Sequence, residues 1–388
     1  MFRRVYLDNS ATTQVDPHVV EAMLPYLTEN YGNASSIHYF GQQARSAVDK
    51  SRHQVAQLLN SRPNEVIFTS GGTESNNLAI RGLCFANQHY GKHIIISDIE
   101  HPAVDAVCED LEKDGFETTR LPVYGNGIVR VDDLENALRD DTLLISVMAA
   151  NNEIGTLQPI EEIGKLVREL RKNGRKIWFH TDAVQAAGKT VVDVEAIGCD
   201  LLSISGHKIH APKGIGALYV RRGTRLRSQN IGGRQERAIR AGTESVPNIV
   251  ALGTAAEIAS NDIAIVDSDI RILRDSLEQQ ILEHVPESHT NGDTDLRLPN
   301  ISNISFPGVE GEALLINLDM HGIAVSTGSA CSSGSIEPSP VIKALGVSDT
   351  AARSAIRFSL GRFTRADDVS RVLEVLPSAV ENIRSLSK

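Results

Sequence analysis

Leu201-Leu-Ser-Ile-Ser-Gly-His-Lys208 is apolar through Ile204 save for Ser203 and turns polar at Ser205-Gly206-His207-Lys208. Its first half has the make-up of a buried strand, and its second half is a polar exit that carries a lysine. An ammonium group at the mouth of a buried strand is costly, because desolvation favours the neutral amine. A neutral amine is what condenses with an aldehyde, as Schiff-base lysines do. A lone lysine in such a place is ordinarily a surface residue. The rest of the chain gives Lys208 a different meaning.

Four upstream apolar runs each deliver polar groups at their ends. Val66-Ile-Phe-Thr-Ser-Gly-Gly-Thr-Glu-Ser75 reads as a strand, a glycine turn and a helix starting near Thr73. Backbone N–H groups at such a start, approached over small residues, form an anion site suited to a phosphate. Ile94-Ile-Ile-Ser-Asp-Ile-Glu-His101 predicts a strand ending in a histidine. Leu143-Leu-Ile-Ser-Val-Met-Ala-Ala-Asn-Asn152 predicts one ending in two asparagines. Ile177-Trp-Phe-His-Thr-Asp-Ala-Val-Gln185 predicts one that presents Asp182 and Gln185.

Between Val66 and Val220 these runs alternate with amphipathic stretches at Val104–Lys113, Asp132–Arg139 and Glu161–Lys172. That alternation predicts a mostly parallel sheet covered on both faces, with ligands beyond the carboxyl ends of its strands. After Val246 the pattern changes to long helical stretches near Asn248–Ser260 and Asp267–His284. Strand-like segments at Asn300–Phe306 and Ala355–Leu360 follow, with helices at Gly311–Met320 and Ala366–Ser385. This predicts a smaller α+β domain. The nearest things to linkers are Arg221–Gly242 and Glu287–Pro299.

The parts match what pyridoxal phosphate requires: a lysine for its aldehyde, an acid for its ring nitrogen and a helix start for its phosphate. At this point the chain resembles the cysteine desulfurases of the NifS/IscS type, within the fold type I pyridoxal phosphate enzymes. The resemblance runs from Tyr6-Leu-Asp-Asn-Ser-Ala-Thr-Thr13 to Ile356-Arg-Phe-Ser-Leu-Gly-Arg-Phe-Thr364. Its most specific motifs are Ser205-Gly-His-Lys208, Ser329-Ala-Cys331 and Arg357-Phe-Ser-Leu-Gly361. It implies an α/β transferase fold with a large mostly parallel-sheet domain over 13–255. The first dozen residues would join 256–388 in a small domain that carries the cysteine loop.

The resemblance also implies roles. Lys208 binds the cofactor and acts as a base at the substrate's Cα. Gly72, Thr73, Ser205 and His207 hold the phosphate, and Thr243 reaches it from a second subunit, which requires a homodimer. Asp182 pairs with the ring nitrogen and Gln185 with the ring hydroxyl. His101 stacks on the ring and can move protons, which a pKa near neutrality suits. Arg357 grips the carboxylate of L-cysteine with Asn152 assisting. Cys331 takes the sulfur as a persulfide for an acceptor such as an iron–sulfur scaffold or a sulfur carrier in tRNA thiolation. Neighbouring activities on the same scaffold are a selenocysteine lyase or an aminotransferase, the latter with no use for Cys331.

Two of these assignments also have a physical motive of their own. A guanidinium inside the apolar strand Ile356-Arg-Phe-Ser-Leu360 is costly without an anion, which a carboxylate supplies by a two-point grip. Cys331 lies in Ser326-Thr-Gly-Ser-Ala-Cys-Ser-Ser-Gly-Ser335, a stretch of small residues that predicts a loop. Cys84, Cys108 and Cys199 sit instead in apolar contexts and read as core fillers.

Composition sets the outer limits. With 388 residues, 41% hydrophobic and 23% charged, the chain has the profile of a globular protein of about two domains. A net charge of −10 argues against a general nucleic-acid binder, although Arg221, Arg222, Arg225 and Arg227 cluster. No run of about 20 apolar residues predicts a membrane span, and Met1-Phe-Arg-Arg-Val-Tyr6 has no apolar signal core, so the expected compartment is the cytoplasm. No metal-ligand spacing links His207, His210 and Cys331. Gly214-Ile-Gly216 lacks the third glycine of a dinucleotide fingerprint and precedes a strand. Where relatives often have alanine before the phosphate threonine, this chain has Gly72. Relatives often carry a tail that docks an iron–sulfur scaffold; this chain ends at Lys388, and that mode of docking is not expected.

Overall fold

The structure is a computed structural model that describes residues 4–327 and 338–386. The strands in chain order are β1 (Val5–Tyr6), β2 (Val66–Thr69), β3 (His93–Ser97), β4 (Glu117–Leu121), β5 (Thr142–Ser146) and β6 (Trp178–Asp182). They continue with β7 (Leu201–Ser205), β8 (Gly216–Val220), β9 (His289–Thr290), β10 (Ile301–Ser305), β11 (Ile323–Ala324) and β12 (Ala355–Ser359).

Seven of them form one sheet in the order β2-β8-β7-β6-β5-β3-β4. β4, β3, β5, β6 and β7 run parallel, and β8 runs antiparallel to both β7 and β2. Every residue of β3, β5 and β7 is buried. Burial on both faces explains why their apolar residues do not alternate with exposed polar ones; Ser203 in the middle of β7 is itself buried. Each of Ile94, Ile95 and Ile96 is fully enclosed, a burial that contributes about 1.5–3 kcal/mol per side chain.

The helices obey local signals. Pro102 opens the helix Pro102–Glu112 at its first position, where the missing N–H has no cost. Ile160–Lys172 carries Glu161 and Glu162 in its first turn and Arg171 and Lys172 in its last, as the helix dipole favours. Tyr39–Leu58 buries Gly41, Ala44, Ala47, Val48, Ser51, Val55 and Leu58 along one stripe. That stripe packs on Val246–Ile265. A Cβ at Gly253 would stand 2.6 Å from Ser51 Cα, so this crossing requires glycine.

Val246–Ile265 continues through a π-helical turn, Val266–Ile270, into Arg271–His284. The sequence predicts two separate helices and no membrane-length run. The observed run Val246–His284 is long and apolar enough to cross a membrane by length and composition alone. Its first half buries Ile249, Val250, Leu252 and Ala256 in the protein core. A 255/256 boundary falls within its first helix.

A second hydrophobic core gathers Leu7, Leu277, Ile304, Phe306, Leu314, Phe358 and Leu376. Its sheet has the order β12-β10-β9, and β1 pairs with β11 beside it. The N-terminus is stitched to β12: Ser359 N donates to Leu7 O at 2.8 Å and Asn9 N to Ser359 O at 3.1 Å.

Candidate active site

β7 ends at Ser205, and a single 3-10 turn, Gly206–Lys208, carries the lysine beyond it. The N-terminal segment wraps this turn. Lys208 Nζ donates to the carbonyls of Ser10 and, at 2.9 Å, Ala11. Thr13 donates to His207 O from both its N and its Oγ1 at 3.0 Å. Gln185 Nε2 donates to the same Ser10 carbonyl at 3.0 Å. Behind it Lys189 Nζ donates to Gln185 O at 2.9 Å and to Oε1 at 3.3 Å. Lys189 is buried, and desolvation, then the charge of Lys208, bring its ammonium down to about 7.

Asp182 is the last residue of β6. Its Oδ2 accepts from Asn76 Nδ2 at 2.6 Å and its Oδ1 from Val184 N at 2.9 Å. His101 caps the helix Pro102–Glu112, with Nδ1 accepting from Ala103 N at 3.0 Å. Burial lowers its pKa; the carboxylate of Asp182 opposes that and the charge of Lys208 adds to it. The ring is therefore neutral near pH 7, and a neutral ring that accepts at Nδ1 carries its proton at Nε2. Glu100 lies beneath it, its Oε1 accepting from Ser97 Oγ at 2.5 Å and Met148 N at 2.8 Å. Burial, with Asp182 adding, pushes the Glu100 carboxyl up to about 8 against its hydrogen bonds.

The turn expected to hold an anion is Gly71–Gly72, opening the helix Gly72–Asn87. Gly71 has a φ of +150°, a conformation that glycine favours. A side chain at Gly72 would meet Val184 Cγ2 at 2.9 Å, with Ser205 Cβ 3.6 Å away. Glycine at this position thus leaves space at this contact. Glu74, just inside the helix, accepts from Arg240 Nε at 2.8 Å and from Asn230 Nδ2 at 2.9 Å, tying the 230–243 segment to the turn. His207 contacts Thr12 Oγ1 at 3.2 Å, and burial with the charges of Lys208, Lys213 and Lys189 lowers its imidazole to about 4.

Arg357 enters from β12 and is 2% exposed. Its Nη1 donates to Asn152 O at 2.9 Å and its Nη2 to Asp8 Oδ1 at 2.7 Å. Its backbone forms an antiparallel bridge with Ser326. Ser339 Oγ, on the far side of residues 327–338, donates to buried Glu153 Oε2 at 2.6 Å.

These residues fit pyridoxal phosphate. Asp182 offers a carboxylate with lone pairs to spare, held by a buried Asn76 whose Oδ1 lacks a partner among the described residues. A helix start stands open for a phosphate, an amine lies on the lysine turn, and a neutral imidazole flanks both charges.

The sequence-predicted residues thus fall into two sets. His101, Asp182, Gln185, Ser205, His207, Lys208, Gly72 and Thr73 surround the ends of β2, β6 and β7 and the β3–helix junction. Asn152 joins Arg357. Three expectations change in detail. The run to Asn152 is strand only through Ser146, so Asn152 lies in the following turn and meets Arg357 through its carbonyl. His101 is a helix cap four residues past the end of β3. Gln185 has one amide proton engaged by Ser10. Thr243 is exposed, and Cys331 lies outside the described residues. Sequence reasoning missed Asp8, Asn76, Glu100 and Lys189. Pro102 signals the helix start that makes His101 a cap; no local signal announces the other contacts.

The aminotransferase class-V family profile matches residues 5–372. The cysteine desulfurase of Trichormus azollae is 52% identical over 383 residues, covering 99% of this chain and 94% of that protein. Cysteine desulfurase IscS of Methanosarcina thermophila is 51% identical over 385 residues, with coverages of 99% and 94%. A solved NifS-like protein has a TM-score of 0.89 at 35% identity, covering 99% of each chain. The chain belongs to the aminotransferase class-V family, among its pyridoxal phosphate-dependent cysteine desulfurases.

Proposed function

We propose that the chain removes sulfur from L-cysteine, releases L-alanine and holds the sulfur as a persulfide on Cys331 for transfer to an acceptor protein. The observation that carries the reading is the placing of His101 between the charges of Asp182 and Lys208, with Lys208 tied through Ser10 to Ser359, two residues from Arg357 on the same strand. When bound, pyridoxal phosphate supplies an electron sink for the charge left at the substrate's Cα. Asp182 would hold the proton of the ring nitrogen, and Gly72, Thr73, Ser205 and His207 would hold the phosphate.

Arg357 takes the substrate carboxylate and fixes the direction in which Cα and the thiol point. Lys208 removes the Cα proton. The Nε2–H of His101 is set to donate at the substrate. The Cys331 thiolate attacks the substrate sulfur as the Cβ–S bond breaks; the sulfur stays on Cys331 and protonation at carbon completes alanine. An iron–sulfur scaffold or a sulfur carrier would then take the sulfur.

The enzyme acts as a cytoplasmic homodimer, divided into 13–255 and 1–12 with 256–388. Leu24, Leu27, Tyr31, Ile37, Tyr39 and Phe40 are exposed within one short stretch, an apolar surface suited to a second copy. Thr243 of each chain would complete the phosphate site of the other.

The test is alanine release from cysteine together with the mass of the protein. The parent should gain one sulfur on Cys331. Cys331→Ser should bind cysteine and transfer no sulfur, and Lys208→Ala should release no alanine. Alanine release by Lys208→Ala, or sulfur delivery by Cys331→Ser at the parent rate, would refute the reading.

A further inference from the structure

The three nitrogens of Arg357 are unequally engaged. Nη2 meets a full carboxylate charge, Asp8 Oδ1 at 2.7 Å, and Nη1 meets the neutral carbonyl of Asn152 at 2.9 Å. Nε is buried and has no partner among the described residues. A guanidinium 2% exposed needs a counter-ion when no ligand is present, and the opposite end of the chain provides it.

Asp8 is held for this purpose. Asp8 and Ser359 form a parallel bridge, flanked by Asn9 N to Ser359 O at 3.1 Å and Ser359 N to Leu7 O at 2.8 Å. Tyr6 OH donates to the Asp8 carbonyl at 3.1 Å and to Thr12 O at 2.9 Å. These contacts fix the Asp8 backbone beside Arg357, and its carboxylate meets the guanidinium at 2.7 Å.

A second carboxylate brought to this guanidinium meets like charge from Asp8, already 2.7 Å from Nη2, and juxtaposed like charges oppose binding. A buried guanidinium without that opposition would hold any small monocarboxylate. We propose that Asp8 is a specificity-determining residue: it weakens the carboxylate grip of Arg357, so that an anion stays only if its α-amino group gains a second attachment at the Lys208 side. The inference rests on the reading of Arg357 as the carboxylate site.

Propionate, a monocarboxylate without an amine, is the probe. Its dissociation constant is measured with the holoenzyme by calorimetry and by competition against cysteine, for the parent, Asp8→Asn, Asp8→Ala and Arg357→Gln. Asparagine keeps the shape and the acceptor oxygen but not the charge. Propionate should bind Asp8→Asn roughly fivefold or more tightly than the parent. The KM for cysteine should fall by a smaller factor, so discrimination narrows. Asp8→Ala should move in the same direction. Unchanged or weaker propionate binding in both Asp8 variants would overturn the proposal. So would a lower melting temperature and kcat with the propionate-to-cysteine ratio unmoved, the signature of a structural role. If Arg357→Gln binds both ligands as the parent does, the carboxylate reading itself is wrong. If it loses both while the Asp8 variants match the parent, the Asp8 inference alone fails.

Discussion

Asp182 and Arg357 are both buried charged groups, yet they are held in different ways. Asp182 stands at the end of a central parallel strand, and its partners are the next turn of its own segment and one helix of the same sheet layer. Arg357 is held by Asp8 and Asn152, 349 and 205 positions away in the chain. The proposed cofactor side is thus positioned by the interior of one sheet. The proposed carboxylate side exists only once three distant segments have closed on each other. A rigid half should govern the chemistry and an assembled half the binding, and substitutions can separate the two.

The largest effect is expected at Asp182. Asp182→Asn keeps the shape and removes the charge that would hold the ring proton, so kcat should fall about 100- to 1000-fold. KM should move much less. A loss borne mainly by KM would break the division of labour. On the other side, Arg357→Lys keeps the charge but loses the planar fork. KM for cysteine should rise about 100-fold while kcat stays within about tenfold. Steady-state kinetics on both variants decides the matter, and an equal fall in kcat and kcat/KM at Arg357 would refute it.

The smallest effect sharpens the comparison from beneath the rigid half. Glu100 has its carboxyl raised from 4.5 to about 8, so the folded protein holds a proton that the unfolded chain releases. Its contribution to stability is full below about pH 4.5 and is lost as pH rises through 8. Lys189, lowered from 10.5 to about 7, works in the opposite sense: its contribution is full above about pH 10.5 and lost as pH falls through 7. The Glu100 effect is therefore read as a difference between variant and parent. Between pH 6.5 and pH 8.5 the melting temperature of Glu100→Gln should change more favourably than the parent's by about 2 °C or more. Parallel changes in the two proteins would mean that Glu100 is ionised throughout.

The same contrast explains what was legible in the sequence. The strands that place Asp182 and Lys208 are buried on both faces, so Trp178, Phe179, Leu201, Leu202 and Ile204 show no alternation with exposed residues, while the polar His180 and Ser203 are buried against each other at 3.1 Å. The run to Asn152 misled for a related reason. Val147, Met148, Ala149 and Ala150 are buried although the strand stops at Ser146, and Val147 N and Ala149 N still donate to His180 O and Asp182 O, so burial and contact with β6 outlast the regular strand. Arg357 was conspicuous as a charge in an apolar strand, but its partner was not. Asp8 looks like any acidic residue near a chain end until the β1–β11 pair and the Ser359 contacts bring it across. Asn76 likewise faces Asp182 over 106 positions, a distance that no local pattern encodes.

The anchoring of Ser326 and Ser339 has a consequence for how such enzymes can diversify. Arg357 N donates to Ser326 O at 2.6 Å and Ser326 N to Arg357 O at 3.2 Å, while Ser339 is held separately by Glu153. The two ends of the 327–338 segment are thus fixed independently of the residues between them. Closing a longer chain between fixed ends costs only about 0.6 kcal/mol for each doubling of its length. Insertions and deletions there leave the attachments at Arg357 and Glu153 untouched. Segment length is then free to differ among such enzymes while Arg357 and Glu153 keep their attachments.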